Sequence, residues 1–536
     1  MNLFINLCAR SKPSIYTSNA MQPILTNDFQ LTKIIATLGP ATHSVNKIMA
    51  LINEGVRVFR INFSHGSFEE HEKTYSYIRE AEERTGIFVA VMGDLSGPKI
   101  RVGKVIERGV LVVEDDCIVF VPEEIIAGSE GYELSFSSTL PEFITEVKIG
   151  ERILIDDGNI ELECIKQKTR NGKQELHCRV IIGGTISSSK GINLPQTNLS
   201  VSALTEKDKA CVKFAVVRKF DYLALSFVRQ AEDIRVLKTL LTELGARPGK
   251  ITTSGGDLGF SKLSSVRDSF IPVITKIEKP QAIDNLEAII METDAVMVAR
   301  GDLGVEMDLA EVAILQKQII KLCQVHGRPV IVATQMLQSM IESAVPTRAE
   351  VSDVANAIFD GADAVMLSGE TAVGKYPVQV VRMMNKIAFR TNNYIKLNSI
   401  KAGADMEKPD LSFRAAAIAK GVQTLVKEID PKFIVVWTNM GGSAVYLSQH
   451  RMQVPILAFN AEKSRLRQLS LLYGIMPIKM SQPKSGSDFI SNIDHMLISK
   501  KWAELGDAII IVSGDPINRK GFANRIVIHF VGESVD

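Results

Sequence analysis

At 536 residues, with 46% hydrophobic and 23% charged side chains, the chain is globular and too long for one core, so about three domains are expected. Its 62 Lys and Arg balance 61 Asp and Glu, which excludes a global field for nucleic acid or anionic lipid; any anionic ligand must be recognised locally. No apolar run reaches the roughly 18 residues of a membrane span, and six scattered cysteines without a CxxC pair read as reduced thiols of a cytoplasmic protein.

Residues 1–30 lack the patterning of the rest of the chain and read as a flexible leader, or as preceding a start at Met21, rather than as a targeting segment, because Arg is sparse and no clear apolar stretch is present. From residue 31, short β-branched runs alternate with longer amphipathic segments. The runs are TKIIATL (32–38), VRVFRINF (56–63), FVAVMGDL (88–95), DYLALSF (221–227), PVITKIE (272–278), AVMVAR (295–300), PVIVATQ (329–335) and AVMLSG (364–369). Eight such units predict a (β/α)8 barrel built from residues 31–102 and 201–396. The interruption at 103–200 changes to short alternating segments such as "RILIDDGNIELECI" and predicts an inserted all-β, barrel-like domain. It leaves the barrel after the C-terminal end of a strand, where a lid belongs. A Gly/Ser-rich excursion at 246–270 predicts a mobile loop or small insertion. Residues 397–536 carry five further runs, FIVVWT, PILAFN, IMPIKM, AIIIVSG and RIVIHF, which suit a C-terminal α/β domain with a small, open, mostly parallel sheet.

In a barrel of this kind polar residues at the C-terminal ends of the strands converge, whatever their separation in sequence. Those ends supply Thr37; Arg60, Asn62 and Ser64; Asp94; Ser226; Lys276 and Glu278; Arg300 and Asp302; Thr334; Ser368 and Glu370. Lys276 and Glu278 lie two apart on a strand and share a face. Glu278 and Asp302 are hard oxygen donors suited to Mg2+ or Mn2+, and zinc is disfavoured without a His/Cys cluster. Arg60 and Lys276 offer donors to phosphate or carboxylate. Gly301 and Gly304 in "ARGDLGV" let backbone approach a ligand. Each has a plainer reading: a salt bridge at a strand end for Lys276 and Glu278, a turn for Asn62 and Ser64, packing for Ser226, a satisfied histidine at His65. Two carboxylates and three cations at one barrel mouth favour the functional one.

The motifs "TKIIATLGPAT", "RINFSHG", "GDLSGPKIR", "SSSKGINLP", "ITKIEKPQA", "VMVARGDLGVE", "VIVATQMLQSM" and "PTRAEVSDVANAIFDGADAVMLSGETAVGKYP", in order from about residue 31 to 400, closely resemble pyruvate kinase. The resemblance implies transfer of a phosphoryl group from phosphoenolpyruvate to ADP, giving pyruvate and ATP. It implies that Glu278 and Asp302 hold the divalent metal, that Lys276 stabilises charge on the phosphoryl group and the enolate, and that Arg60 grips phosphate. It further implies that backbone at Gly301 and Asp302 binds the substrate carboxylate, beside Ser226, and that Thr334 lies where enolpyruvate is protonated. Arg101, His65, Pro40 and Lys190 match nucleotide-side positions. "TNMGGSA", with Thr438, Asn439, Gly441, Gly442 and Ser443, resembles a loop that holds an effector phosphate. A sugar-phosphate or nucleotide effector is open there, fructose 1,6-bisphosphate is disfavoured, and a homotetramer is expected.

Potassium-dependent members typically read Asp-Thr-Lys-Gly-Pro-Glu where this chain has "GDLSGPK". Asn62, Ser64 and Asp94 keep the ion's side-chain ligands, but the glutamate position is Lys99, as in the potassium-independent subgroup. A tethered ammonium can replace a monovalent ion, so K+ is expected to be unnecessary, unless Lys99 is merely a solvated loop residue. Two other functions compete: a metal-dependent barrel lyase or aldolase acting through a pyruvate enolate, and a retired catalyst kept for effector binding. The second predicts loss of Lys276, Glu278 or Asp302, all of which are present.

Overall fold

The computed structural model describes residues 29–170, 172–248, 270–398, 413–517 and 523–534. The expected leader therefore lies almost wholly outside the described residues, as does most of the 246–270 excursion. Eight parallel strands close into a barrel in chain order: β1 (Lys33–Thr37), β2 (Val56–Asn62), β3 (Ala90–Asp94), β4 (Tyr222–Leu225), β5 (Val273–Ile277), β6 (Ala295–Ala299), β7 (Val330–Ala333) and β8 (Ala364–Leu367). Each corresponds to one of the eight predicted runs. Most are buried along their whole length, which is why they read as continuous apolar runs rather than alternating ones. The intervening helices carry clear boundary chemistry. Ser67 and Glu70 form a capping box at the start of Phe68–Thr85, which Gly86 ends in a left-handed conformation. Gly93 is required in β3, because a Cβ there would stand 2.6 Å from the buried Phe63 ring.

The inserted domain is a curled, mostly antiparallel sheet of seven strands, running from Ile100–Arg101 to Gly191–Asn193. Its core is its own, with Phe120 packed on Phe136 and Phe143. The C-terminal domain has β9 (Phe433–Trp437), β10 (Ile456–Asn460), β11 (Ile475–Lys479), β12 (Ala508–Ser513) and β13 (Arg525–Phe530), in the order β11-β10-β9-β12-β13. All pairs are parallel except β12 with β13.

This domain docks on the N-terminal ends of the barrel strands. Leu471 joins the barrel's interior cluster with Ile35, Met92, Met297 and Met366, so the floor is filled from outside the barrel's own sequence. Around it Tyr222 Oη donates to Gln468 O (2.5 Å), Lys33 Nζ to Ile475 O (2.7 Å) and Ser470 Oγ to Phe88 O (3.0 Å). Arg451 pairs with Asp363 at 2.9 Å, both wholly buried. Cys117, Cys164, Cys178, Cys211 and Cys323 are free thiols. Among the described residues no helix is long and apolar enough to cross a membrane.

Candidate active site

At the opposite, C-terminal mouth, consecutive strands deliver a continuous polar chain. From β2, Arg60 reaches sideways: its Nε and Nη2 both lie 2.6 Å from Asp94 Oδ2 at the end of β3, and its Nη1 donates to Thr37 Oγ1 (3.2 Å) on β1. Thr37 in turn donates to Leu367 O. The planar guanidinium is thereby fixed on three strands. From β5, Lys276 Nζ donates to Ser226 Oγ (2.8 Å) and lies 2.7 Å from Glu278 Oε1 and 3.4 Å from Asp94 Oδ1. Ser226 donates its own proton to Leu95 O (2.7 Å). Its role in the geometry is to aim the ammonium.

Burial works against the charge on Lys276, but Asp94, then Glu278 and Asp302, outweigh it and hold its pKa above the ordinary lysine value. Burial likewise opposes ionisation of Asp94, yet Lys276 and Arg60 hold its carboxyl below the usual range. Glu278 goes the other way: full burial raises its pKa, Lys276 only partly compensates, and Asp302 adds repulsion. Glu278 Oε2 accepts from Phe227 N (2.7 Å), whereas Oε1 is buried and has no aligned hydrogen-bond donor despite the nearby ammonium. With Asp302 half-buried beside it, the cluster holds three carboxylates against two cations. A buried hard oxygen that has an ammonium beside it but no hydrogen-bond donor, next to a second carboxylate, fits a divalent cation.

Thr334 follows β7 with φ +71°, an unfavourable conformation for a β-branched residue. Its hydroxyl accepts from Gly301 N (2.7 Å) and donates to Ala333 O (2.5 Å). The strain holds the hydroxyl over the helix Arg300–Glu306. A carboxylate bound by Gly301 N would have to take the place of this hydroxyl.

Two family models cover most of the chain. One, described as pyruvate kinase, barrel domain, matches residues 29–253 and 260–381, and the other, pyruvate kinase, alpha/beta domain, matches 416–529. The chain belongs to the pyruvate kinase family. Pyruvate kinase of Corynebacterium glutamicum is 36% identical over 506 residues, covering 94% of this chain and 98% of the relative. That of Mycobacterium tuberculosis is 37% identical over 501 residues, with the same coverage. A crystal structure of a pyruvate kinase from Cryptosporidium parvum superposes with a TM-score of 0.81 at 31% identity, over 94% of this chain and 96% of that one. The enzyme is a phosphotransferase of glycolysis on a barrel fold.

His65 is exposed, and burial first, then Arg101, Lys207, Lys99 and Arg60, hold its imidazole below the usual histidine value. All four cations thus lie close enough to act on this imidazole. Arg101 donates to Ser189 O (2.8 Å), and Lys190 pairs with Asp156 of the inserted domain at 2.7 Å. Pro40 is exposed in the turn after β1. Asn62 Oδ1 accepts from Ser64 N (3.1 Å), closing a turn. Lys99 is exposed, and its ammonium has no hydrogen bond or ion pair among the described residues. Arg300 pairs with Asp353 (2.7 Å) and donates to Thr334 O (2.9 Å), and it lines a cavity of about 320 Å3 with Val312 and Gln316. Glu370 is buried on the backbone N–H groups of Ser368 and Leu337.

In the C-terminal domain Thr438 Oγ1 accepts from Gly441 N (3.0 Å), Gly441 has φ +89°, and Gly442 opens the helix Gly442–Gln449. Asn439 accepts from Trp437 Nε1 (3.1 Å), and Ser443 Oγ accepts from Ala523 N (3.2 Å). Sequence reasoning missed two residues that organise the mouth. Lys207 donates to Ser64 O (3.4 Å), and its only sequence signal is its place in the first turn of Glu206–Arg218. Asp208 accepts from Ser96 N (2.9 Å) and Thr205 N (3.0 Å). The capping pattern Thr205-x-x-Asp208 marks it as a helix start, but nothing local marks its reach to residue 96.

Proposed function

We propose that the enzyme transfers the phosphoryl group of phosphoenolpyruvate to ADP at this mouth, with Arg60, Lys276 and Thr334 as the residues that touch reacting groups. The observation that carries the reading is the Arg60–Asp94–Lys276–Glu278 chain, which holds two permanent cations in fixed positions inside a buried cluster. Phosphoryl transfer requires chiefly positioning and charge neutralisation. Lys276, kept protonated by its acidic neighbours, serves as a fixed positive charge for the phosphoryl group in flight and for the enolate left behind. Arg60, braced by Asp94 and Thr37, offers its remaining donor edge to phosphate. The Thr334 hydroxyl delivers a proton to the enolate carbon, directly or through water, and the backbone at Gly301 and Asp302 receives the carboxylate.

Glu278 and Asp302 would hold Mg2+ or Mn2+. When bound, that ion supplies Lewis-acid polarisation and the positive charge that makes an otherwise net-negative cluster receptive to an anionic substrate. Arg101, His65, Pro40 and Lys190 form the nucleotide side, with Lys207 acting on the same imidazole. The Thr438–Ser443 loop is an anion site for a sugar-phosphate or nucleotide effector, and the assembly is a homotetramer.

K+ is not required in this reading. Lys99 is one of the cations that help to depress His65, and its unpaired ammonium is available to supply the monovalent charge. The test is pyruvate formation from phosphoenolpyruvate and ADP with Mg2+, with and without K+, in tetramethylammonium buffer. Equal activity in both supports the reading, and Lys99→Glu then creates a saturable K+ requirement. Activity only with K+ in the unaltered enzyme assigns Lys99 to the surface.

A further inference from the structure

Glu306 ends the helix Arg300–Glu306 that carries Asp302, and its side chain is wholly buried. Its Oε1 receives two donors from different domains: Lys279 Nζ, in an ion pair from the segment after β5, and Asn193 Nδ2 at 2.7 Å from the inserted domain. Its Oε2 has no hydrogen-bond partner among the described residues. The carboxylate is therefore tethered by one hydrogen bond to the lid and one ion pair to the barrel.

Both tethers lead to chemistry. Lys279 adjoins Glu278 in sequence and lies 5.8 Å from the ring centre of Phe227, whose N–H holds Glu278 Oε2. Asn193 closes the short strand Gly191–Asn193, which pairs with Arg101 and directly follows Lys190. The lid also comes near the same helix where Gly158, in the turn after Asp156, faces Val305; a Cβ on that glycine would stand 3.9 Å from the valine methyl. Asp156 is the partner of Lys190.

We infer that Glu306 is the latch that registers the lid on the barrel, a positioning residue through which Asn193 sets where Lys190 and Arg101 meet the nucleotide. Lid and barrel meet at one buried carboxylate because Asn193 and Lys279 donate to the same oxygen of it. Releasing Asn193 loosens the lid at the end nearest Lys190, while Gln281 and Arg229 still hold it at Pro195 O and Leu199 O, and it leaves Arg60, Lys276 and Thr334, all carried by the barrel, where they are. The consequence falls on ADP and not on phosphoenolpyruvate. The inference rests on the nucleotide-side assignment proposed above.

The test uses the full chain carrying Asn193→Ala, the near-isosteric Asn193→Asp, which sets two carboxylates face to face, and the double variant Asn193→Asp with Glu306→Gln, which restores a donor–acceptor pair. Each single variant should raise the KM for ADP about tenfold, the scale of one charge-assisted hydrogen bond. The KM for phosphoenolpyruvate should stay within about twofold, and the double variant should recover most of the loss. Amide hydrogen exchange in the substrate-free enzyme reads the latch without turnover: residues 191–194 and 156–159 should lose protection in both single variants and regain it in the double. Unchanged exchange in Asn193→Asp would overturn the latch, and so would equal rises in both KM values. If exchange responds while neither KM moves, the latch stands and the nucleotide-side assignment of Lys190 and Arg101 fails.

Discussion

Lys276 stands among more acid than its one charge can neutralise, and that imbalance defines its use. Removing it in Lys276→Met leaves Glu278 without its ammonium and Asp94 with Arg60 alone. Turnover should fall about 10³-fold or more while the far-ultraviolet dichroism stays native; near-normal turnover would take Lys276 out of the mechanism. Thr334 makes a finer test. Thr334→Val keeps the branched shape but removes the hydroxyl that delivers the proton, so kcat should drop by about a hundredfold or more. Thr334→Ser should restore it, and a valine variant with full kcat would show that the hydroxyl is dispensable. At this scale the sequence was partly legible. The shared face of Lys276 and Glu278 follows from strand alternation alone, whereas the clasp of Asp94 by Arg60 and Lys276 depends on three strands meeting in space. Glu306 and Asn193, more than a hundred residues apart, carry no local pattern that would join them.

Among the elements, the helix Glu206–Arg218 does more than its capping box requires. The buried Asp208 both closes its own N-terminus and holds Ser96 N and Gly97 N in the loop between Asp94 and Lys99. Asp208→Ala should therefore destabilise the fold by roughly 1–3 kcal/mol and also raise the KM for ADP, because Lys99 and Arg101 lie just beyond that loop. Thermal melting and steady-state kinetics check the two effects, and a melting loss with unchanged KM would confine Asp208 to capping. The barrel strands and the three inner C-terminal strands, β9, β10 and β12, were readable because nearly every residue in them is buried, so hydrophobicity alone outlines them; the flanking β11 and β13 are partly exposed and were readable from their β-branched residues instead. The pairing order of the lid was not. Many of its strands are only two to four residues long, too short for periodicity to show a register.

For the molecule as a whole, the barrel and the C-terminal domain are joined by a buried charge pair. Burial raises the pKa of Asp363, with Arg451, Val330 N and Gln449 opposing it. For an acid with a raised folded pKa, the folded state holds the proton more tightly than the unfolded chain. Stability therefore declines as pH climbs from the ordinary value of 3.8 through the folded pKa, and is level above it. Removing the guanidinium in Arg451→Met raises the folded pKa further and should cost about 3–5 kcal/mol near neutrality. The deficit in urea midpoint against the unaltered enzyme should be smaller at about pH 5 than at about pH 8. An equal deficit at both would show that ionisation of Asp363 is not what Arg451 offsets.

The placement of Leu471 in the barrel floor bears on how the molecule is made. Synthesis proceeds from the N-terminus, so all eight barrel strands leave the ribosome before the residue that completes their interior. Until then the nascent barrel has an open, methionine-lined hole at its base, a sticky surface of the kind that chaperones shield. A messenger cut short near codon 400 would encode every catalytic group named above and still yield a protein prone to clump.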